Sequence, residues 1–440
     1  MRSTSWVTRF AALGAVAVLF LSLHTGVVAA PATPSPGDVI PGRYIVVLHD
    51  WVRAPDRDSQ ILAAQHDIDL DHVYRRALRG FSGSVPPARL AALRRDPRVR
   101  FIAEDRVVSI AAQTLPTGID RIEADLSSAR SGSGSAVNVP VDVAILDTGI
   151  QRNHPDLNVA GGYNCTSRNR NGWDDGHGHG THVAGIIGAR DNGFGVVGVV
   201  PGARLWAVRV LNSQGIGYLS WIICGLDWVD ARSPFYGGTV RVANMSLGGP
   251  GSDDEACGIF NFDPMHLAIC ITAGDGVLIV AAAGNSQADV AGFVPAAYDE
   301  VLAATAIADF NGQPGGGGAS TCRPDVDDTA ADFSNFAVST ADRNHTIAAP
   351  GVCITSTWRR SEYNTISGTS MAAPHVTGTV ALCLAGSVPT NNCVNMPPDQ
   401  IMTKIRNDAA QRPVGYGFAD DPNNPNGSRY YGHLVYAGGY

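Results

Sequence analysis

The sequence predicts an α/β protein, with a mostly parallel central sheet flanked by helices in three layers, preceded by a small α+β module. Three observations carry this. From about Ala112 onward, short runs rich in Val, Ile and Ala alternate with helix-period segments, the pattern of strands buried on both faces and covered by helices. Upstream, residues 43–111 read as strand, helix, strand, helix, strand. All eight cysteines fall between Cys165 and Cys393, so the two parts differ in chemistry as well as in pattern.

Taken in order, residues 1–30 have the build of a secretory signal peptide. Arg2 and Arg9 open it, Phe10–Leu23 is uncharged and mostly apolar, and small residues follow at Val28-Ala29-Ala30. The apolar run is too short to span a bilayer comfortably; the competing reading is an uncleaved membrane anchor. Residues 31–41, rich in proline, are a linker. "RYIVVLHD" from Arg43 predicts a strand, "SQILAAQHDIDL" a helix, and "FSGSVPP" a strand and turn. "ARLAALRRDPRV" predicts a second, amphipathic helix, and "RFIAEDRVVSI" a closing strand that ends near Ala111.

In the second part, buried strands are predicted at "VDVAILDTG" (141–149), "RLWAVRVL" (204–211), "VRVANMSLGG" (240–249), "GVLIVAAAGN" (276–285) and "VLAATAIAD" (301–309). "GTHVAGIIGAR", "LSWIICGLDWVDAR" and "DPMHLAICITAG" predict helices between them. "GQPGGGG" (312–318) and "DPNNPNGS" (421–428) are loops. Residues 112–440 suffice for one large core, so a single domain is expected. In such sheets, reactive groups collect at the carboxyl ends of strands, where Asp147 and Asn285 fall.

Composition narrows the function. Residues 31–111 carry twelve arginines against ten acidic residues, and residues 112–440 carry eighteen basic against thirty acidic residues. A net charge of −12 over the larger part makes it a poor nucleic-acid binder, though ordinary surface composition would give the same balance. An even number of cysteines in an exported chain argues for disulfides. Eight cysteines allow 105 pairings, among which sequence alone does not choose; Cys257 with Cys270 and Cys383 with Cys393 are close enough for local staples, and Cys165–Cys224 and Cys322–Cys353 are one way to pair the rest. No Cys-x-x-Cys pair supports a zinc or thioredoxin-like site.

Three segments carry candidate chemistry. "DTG" at 147–149 occurs in aspartic proteases, but these need two carboxylates sharing a proton, and no second Asp-Thr/Ser-Gly exists. "DDGHGHGTHVAG" places His177, His179 and His182 together. Taken locally they are metal ligands, satisfied structural histidines, or a catalytic base with neighbours. In "SGTSMAAPHVTG", Ser370 falls at the start of a small-and-apolar helical run. Locally that is an N-cap serine. Functionally, a helix N-terminus offers free N–H groups and a positive dipole end to an oxyanion. Gly368 permits close substrate approach, Ala372 and Ala373 suit packing beneath the serine, and Pro374 is tolerable in a first turn. Serine needs a base and the base an orienter; Asp147, His179 and Ser370 supply the three types.

The segments "ILDTGI", "HGTHVAG", "NMSLGG", "AAAGN" and "SGTSMAAPHVTG", in that order, resemble the signature segments of the subtilisin-like serine proteases, with the proteinase K and aqualysin branch nearest in pattern. The resemblance runs from about Ala112 to the C-terminus. It implies a subtilisin-like fold, a triad of Asp147, His179 and Ser370, and Asn285 as the oxyanion amide. It implies substrate-flanking strands at Ser246, Leu247, Gly248 and Gly249 and at Gly215, Ile216 and Gly217. The first specificity pocket is then walled near Ala281–Gly284, whose small residues suggest room for a large apolar or aromatic side chain. His182 becomes a helix residue packed near the site and His177 an extra loop histidine. Residues 31–111 resemble, through "GRYIVVL" and "FIAEDRVVSI", the linker and inhibitory propeptide of the same family, released by self-cleavage near Ala111–Ala112. The chemistry implied needs no cofactor. Structural calcium is implied without residues to assign. Expected partners are protein and peptide substrates and the chain's own propeptide, acting as folding aid and inhibitor. The expected product is a secreted monomer free of membrane and nucleic acid.

Overall fold

A computed structural model describes residues 39–106, 113–135 and 138–440. The signal-peptide segment, the first part of the linker, the end of the closing strand and the expected self-cleavage bond lie outside the described residues. The chain divides into two compact units, Met1–Ile110 and Ala111–Tyr440.

The first unit is a four-stranded antiparallel sheet with two helices. β1 (Val39–Leu48) lies between β3 (Gly80–Ser84) and β4 (Val99–Arg106), and β2 (Asp69–Tyr74) pairs with β3 at the edge. α1 (Pro55–Gln65) and α2 (Pro87–Leu93) complete the fold. Val46, Leu48, Leu62, Phe81 and Leu93 are fully buried at its centre. The helix expected over residues 59–70 stops at Gln65. Asp67 takes a left-handed φ of 54°, which ends the helix, and the chain turns into β2. A register shift between Leu70 and His72 breaks the two-residue alternation that would have marked this strand.

The second unit is built on an eight-stranded sheet. Seven parallel strands run in the order β6 (Val159–Asn164), β7 (Arg204–Arg209), β5 (Asp142–Asp147), β8 (Val240–Met245), β9 (Leu278–Ala282), β10 (Val301–Ala308) and β11 (Thr346–Pro350). The short strand Thr329–Ala330 adds antiparallel to β10. Every residue of β5, β9 and β10 is buried, which is why they read as continuous apolar runs. The two faces separate cleanly: Val143 and Ile145 enter one core, Ala144 and Leu146 the other. On the first face lie α3 (His179–Gly188) and α6 (Thr369–Ala385); on the second lie α4 (Leu219–Asp230) and α5 (Pro264–Gly274).

Several elements carry too little periodic signal to be foreseen. β6 contains Gly161 and Gly162, against which the rings of Trp206 and Trp173 pack; a Cβ would lie 2.9 Å and 2.7 Å from ring atoms. β12 (Ile354–Trp358) and β13 (Glu362–Ile366) form an antiparallel hairpin off the main sheet, and its polar residues mask it. α7 (Pro398–Ala410) is different: its buried stripe, Pro398, Ile401, Ile405 and Ala409, is periodic at helix spacing, and the sequence reading missed it. Four disulfides form: Cys165–Cys224, Cys257–Cys270, Cys322–Cys353 and Cys383–Cys393, with Cα–Cα separations of 5.9, 5.8, 5.7 and 5.1 Å. Among the described residues, no helix is long and apolar enough to cross a membrane.

Candidate active site

The carboxyl edge of the sheet brings the singled-out residues together. Asp147 is the last residue of β5 and is fully buried. The Thr148 N–H donates to its Oδ1 at 2.7 Å. His179 opens α3, and its Nδ1–H donates to both Asp147 oxygens at 2.9 Å. A carboxylate can only accept, so the proton sits on Nδ1 and Nε2 is left basic. Burial disfavours the charged ring, but the charge and hydrogen bond of Asp147, with a further contribution from Asp175, outweigh it. The His179 pKa is raised above the ordinary imidazole value.

Asp175 organises this corner, and the sequence reading missed it. Its Oδ1 accepts from His177 N–H at 2.8 Å, Gly178 N–H at 2.9 Å and the Thr148 hydroxyl at 2.9 Å. Its Oδ2 accepts from Thr181 N–H at 2.9 Å and the Thr181 hydroxyl at 2.5 Å. Thr148 Oγ1 in turn accepts from Gly180 N–H at 3.0 Å. Asp175 thus caps α3 and ties it to the end of β5, a task Gly178 at the N-cap position lacks the side chain to do. Gly178 is required there for another reason. Its φ is 118°, and a Cβ would sit 2.5 Å from the Trp358 indole.

The other two histidines have different surroundings. His182 is fully buried, and its Nε2–H donates to the Ile354 and Asn364 carbonyls at 3.0 Å. Burial and the nearby His179 push its pKa down to about 3, so it stays neutral. His177 packs edge-on to His179 and to Trp358. Among the described residues, no cluster of metal-ligating side chains contains any of the three.

Ser370 is the second residue of α6. Its hydroxyl donates to the Ser246 carbonyl at 3.2 Å, not to His179. The Ser370 carbonyl accepts from the Ser246 hydroxyl at 2.8 Å. Pro374 explains why that carbonyl is free. It lies inside α6 rather than in its first turn as expected, and it has no N–H to give to the residue four positions back. The Ser246 hydroxyl accepts from Asn244 Nδ2 at 2.9 Å, and Asn244 Oδ1 accepts from the Thr377 hydroxyl at 2.8 Å. Ala372 and Ala373 are fully buried beneath.

Asn285 follows β9. Its Oδ1 accepts from Thr369 N–H at 2.8 Å and from the Thr369 hydroxyl at 3.0 Å. Thr369 Oγ1 accepts from Gly284 N–H at 3.1 Å. With its oxygen fixed, the amide presents its N–H groups the other way. A Cβ on Gly368 would stand 3.6 Å from Asn285 Nδ2 and 3.7 Å from the Ser370 nitrogen. Two donors therefore flank the space that glycine leaves open. Nothing local marks the part played by Thr369, because it depends on a contact across 84 residues.

His179 opens onto a cleft of about 570 Å³ lined by Gly215, Ile216, Gly217, Ser246, Leu247 and Gly248 among others. Gly249 pairs instead with Val294. The Phe293 ring packs against Gly248 of the substrate-flanking segment and against Gly284, one of the expected pocket walls. A Cβ on Gly248 would lie 2.7 Å from its Cζ, and one on Gly284 would lie 3.0 Å from its Cδ1. The ring therefore takes up the space beside Gly284, one of the residues expected to wall the first specificity pocket. Ala281 and Ala283 are buried in separate core clusters.

A buried carboxylate bonded to an imidazole, a serine at a helix N-terminus and amide donors beside it are the parts of a serine hydrolase. Comparison with known proteins agrees. Residues 140–433 match the subtilase family and residues 43–111 match peptidase inhibitor I9. M-protease of Shouchella clausii (strain KSM-K16) is 36% identical over 326 residues, 74% of each chain. Subtilisin E of Bacillus subtilis (strain 168) is 37% identical over 297 residues, 67% of each. Alkaline elastase YaB of Bacillus sp. (strain YaB) is 35% identical over 338 residues, 76% of this chain and 78% of that one. The chain belongs to the subtilase family; it is a serine endopeptidase made as a zymogen with an inhibitor-type propeptide, and its chemistry needs no cofactor.

Thr369→Val keeps the shape but removes the hydroxyl that orients Asn285. It is expected to lower kcat about tenfold, equivalent to about 1.4 kcal/mol, with KM little changed and activity restored by Thr369→Ser. Steady-state kinetics on a peptide substrate read both values.

Proposed function

We propose that the protein is a secreted, monomeric endopeptidase that cleaves protein and peptide substrates through Asp147, His179 and Ser370. The observation that carries this reading is the paired bond from His179 Nδ1 to both oxygens of buried Asp147. Asp147 fixes the tautomer and stabilises the imidazolium that forms. The bond from Ser370 to the Ser246 carbonyl is long for an O–H···O pair, so rotation about the serine side chain can exchange it for His179 Nε2 as substrate arrives. Ser370 Oγ then attacks the peptide carbonyl as His179 takes its proton. The Ser370 N–H and Asn285 Nδ2 stabilise the oxyanion. In a subtilisin, losing one such donor costs about 10²–10³ in kcat, a magnitude measured in the family rather than derived from this geometry. His179 protonates the leaving amine, and water repeats the cycle to release the acyl group.

Substrate enters as an added strand between Ser246–Gly249 and Gly215–Gly217. It bonds chiefly through its backbone, which permits broad sequence tolerance. Residues 1–30 direct export. Residues 31–111 serve as linker and propeptide, aiding folding and blocking residues 112–440 until self-cleavage near Ala111–Ala112. Charge disfavours nucleic-acid partners, and the enzyme leaves the membrane once the signal is removed. Calcium is a stabilising ion in this reading, with no residues assigned and no catalytic step depending on it.

The full chain carrying Ser370→Ala is expected to keep its N-terminal module covalently attached, by intact mass, while the parent chain loses it. Efficient self-processing by the variant would contradict the assigned nucleophile. A base must be unprotonated to act, so the raised His179 pKa means that kcat/KM falls as pH drops through a value above about 6.5. Asp147→Asn should move this limb to lower pH and reduce kcat on the order of 10⁴-fold. The Phe293 ring predicts preference for Ala or Ser over Phe immediately before the cleaved bond. Phe293→Gly should raise kcat/KM for the Phe substrate about tenfold or more relative to Ala, as competition between matched peptides would show.

A further inference from the structure

Away from the cleft, the loop that follows Pro250 carries Asp253 and Asp254, and the first turn of α5 carries His266. The His266 side chain is 1% exposed. Its Nε2–H donates to Glu300 Oε2 at 3.1 Å, so in the neutral ring the lone pair is on Nδ1. That Nδ1 is buried with no hydrogen-bond partner. It faces Asp254 Oδ1 at 3.5 Å and Asp253 Oδ1 at 3.6 Å. A lone pair held against two carboxylate oxygens in a near-dry setting is repulsive unless a cation lies between them.

We propose that His266, Asp253 and Asp254 bind a divalent metal ion of the zinc type. The separations suit a shared ion better than a direct N–H···O bond. A charge-assisted bond closes to about 2.7–2.9 Å, whereas ligand atoms about 2.1 Å from a tetrahedral zinc stand about 3.4 Å apart. The three ligand atoms all lie within 4.8 Å of one another. Glu300 behind His266 completes the carboxylate–histidine–metal arrangement that holds such ligands in orientation. An imidazole nitrogen among the donors selects zinc, cobalt or nickel over calcium, which takes oxygen ligands.

The oxygens have further duties that the ion would reinforce. Asp253 Oδ1 accepts from Glu255 N–H at 2.7 Å, and its Oδ2 from Asp299 N–H at 3.1 Å. Asp254 accepts from the N–H groups of Ala256, Gly258, Phe260 and Asn261. The ion would therefore clamp the loop to α5, alongside the Cys257–Cys270 disulfide, a few residues beyond the cleft-lining segment Ser246–Gly248. The grouping of Cys257, Cys270 and Glu300 is no rival, because both sulfurs are in that disulfide.

The test uses the exported enzyme, blocked with a sulfonylating serine reagent, stripped with a chelator and titrated with Co²⁺. The expected result is one tetrahedral cobalt absorption band per chain, displaced by Zn²⁺, and a melting temperature that rises with added zinc. His266→Gln should abolish the band, Asp253→Asn should weaken binding about tenfold or more, and Glu300→Gln should weaken it about 10–100-fold. Asp253 is partly exposed, so its variant serves if His266→Gln does not fold. No tetrahedral band in the parent enzyme, or the same band in the His266 or Asp253 variant, overturns the proposal and leaves a proton on Nδ1 as the cation.

Discussion

The carboxylate of Asp175 holds the active corner together. Through Thr148 it grips the end of β5, and through the N–H groups of His177, Gly178 and Thr181 it grips the start of α3. The close contact between Asp147 and His179 follows, because these two residues sit at the ends so joined. A glycine-rich turn alone would leave the first imidazole of α3 free to move. A buried carboxylate with all its lone pairs occupied makes the turn rigid, and the positive φ at Gly178 lets the chain pass beneath Trp358.

A second constraint runs through Pro374. A proline inside a helix ordinarily weakens it by removing a hydrogen bond. Here the released carbonyl belongs to Ser370 and receives the hydroxyl of Ser246. The start of α6 is thereby fastened to the strand that flanks the cleft, and Asn244 and Thr377 extend the connection into the buried core. Thr369 plays the matching part for Asn285. The candidate nucleophile and the candidate oxyanion donor are each positioned by a side chain whose hydroxyl does no chemistry.

How much of this could be read beforehand follows from the physics. The central strands were legible because burial on both faces makes them continuous apolar runs. Two disulfides were legible because Cys257–Cys270 and Cys383–Cys393 are close in sequence; the other four cysteines allow three pairings, and only the fold chooses among them. Asp147 and Ser370 stood out because their residue types carry chemistry at the end of a strand and the start of a helix; the choice of His179 among three histidines, and the part given to Asn285, came from the family resemblance. Asp175, Thr369 and the Ser246 hydroxyl did not stand out, because their roles exist only once distant segments meet. β6 failed to show because glycines making room for tryptophan rings carry no hydrophobic period. β2 was hidden by its register shift; α7 was legible, since Ile401, Ile405 and Ala409 recur at helix spacing, and was missed all the same.

The central claim is that folding delivers one serine hydroxyl to one imidazole oriented by a buried carboxylate. Covalent labelling with a phosphonylating reagent, followed by peptide mass mapping across pH, addresses it most directly. The account predicts a single adduct on Ser370, formed at a rate that rises through the same pH range as peptide hydrolysis and that collapses when His179 is replaced by Ala. An adduct on another residue, or labelling of Ser370 that ignores both pH and His179, would contradict it.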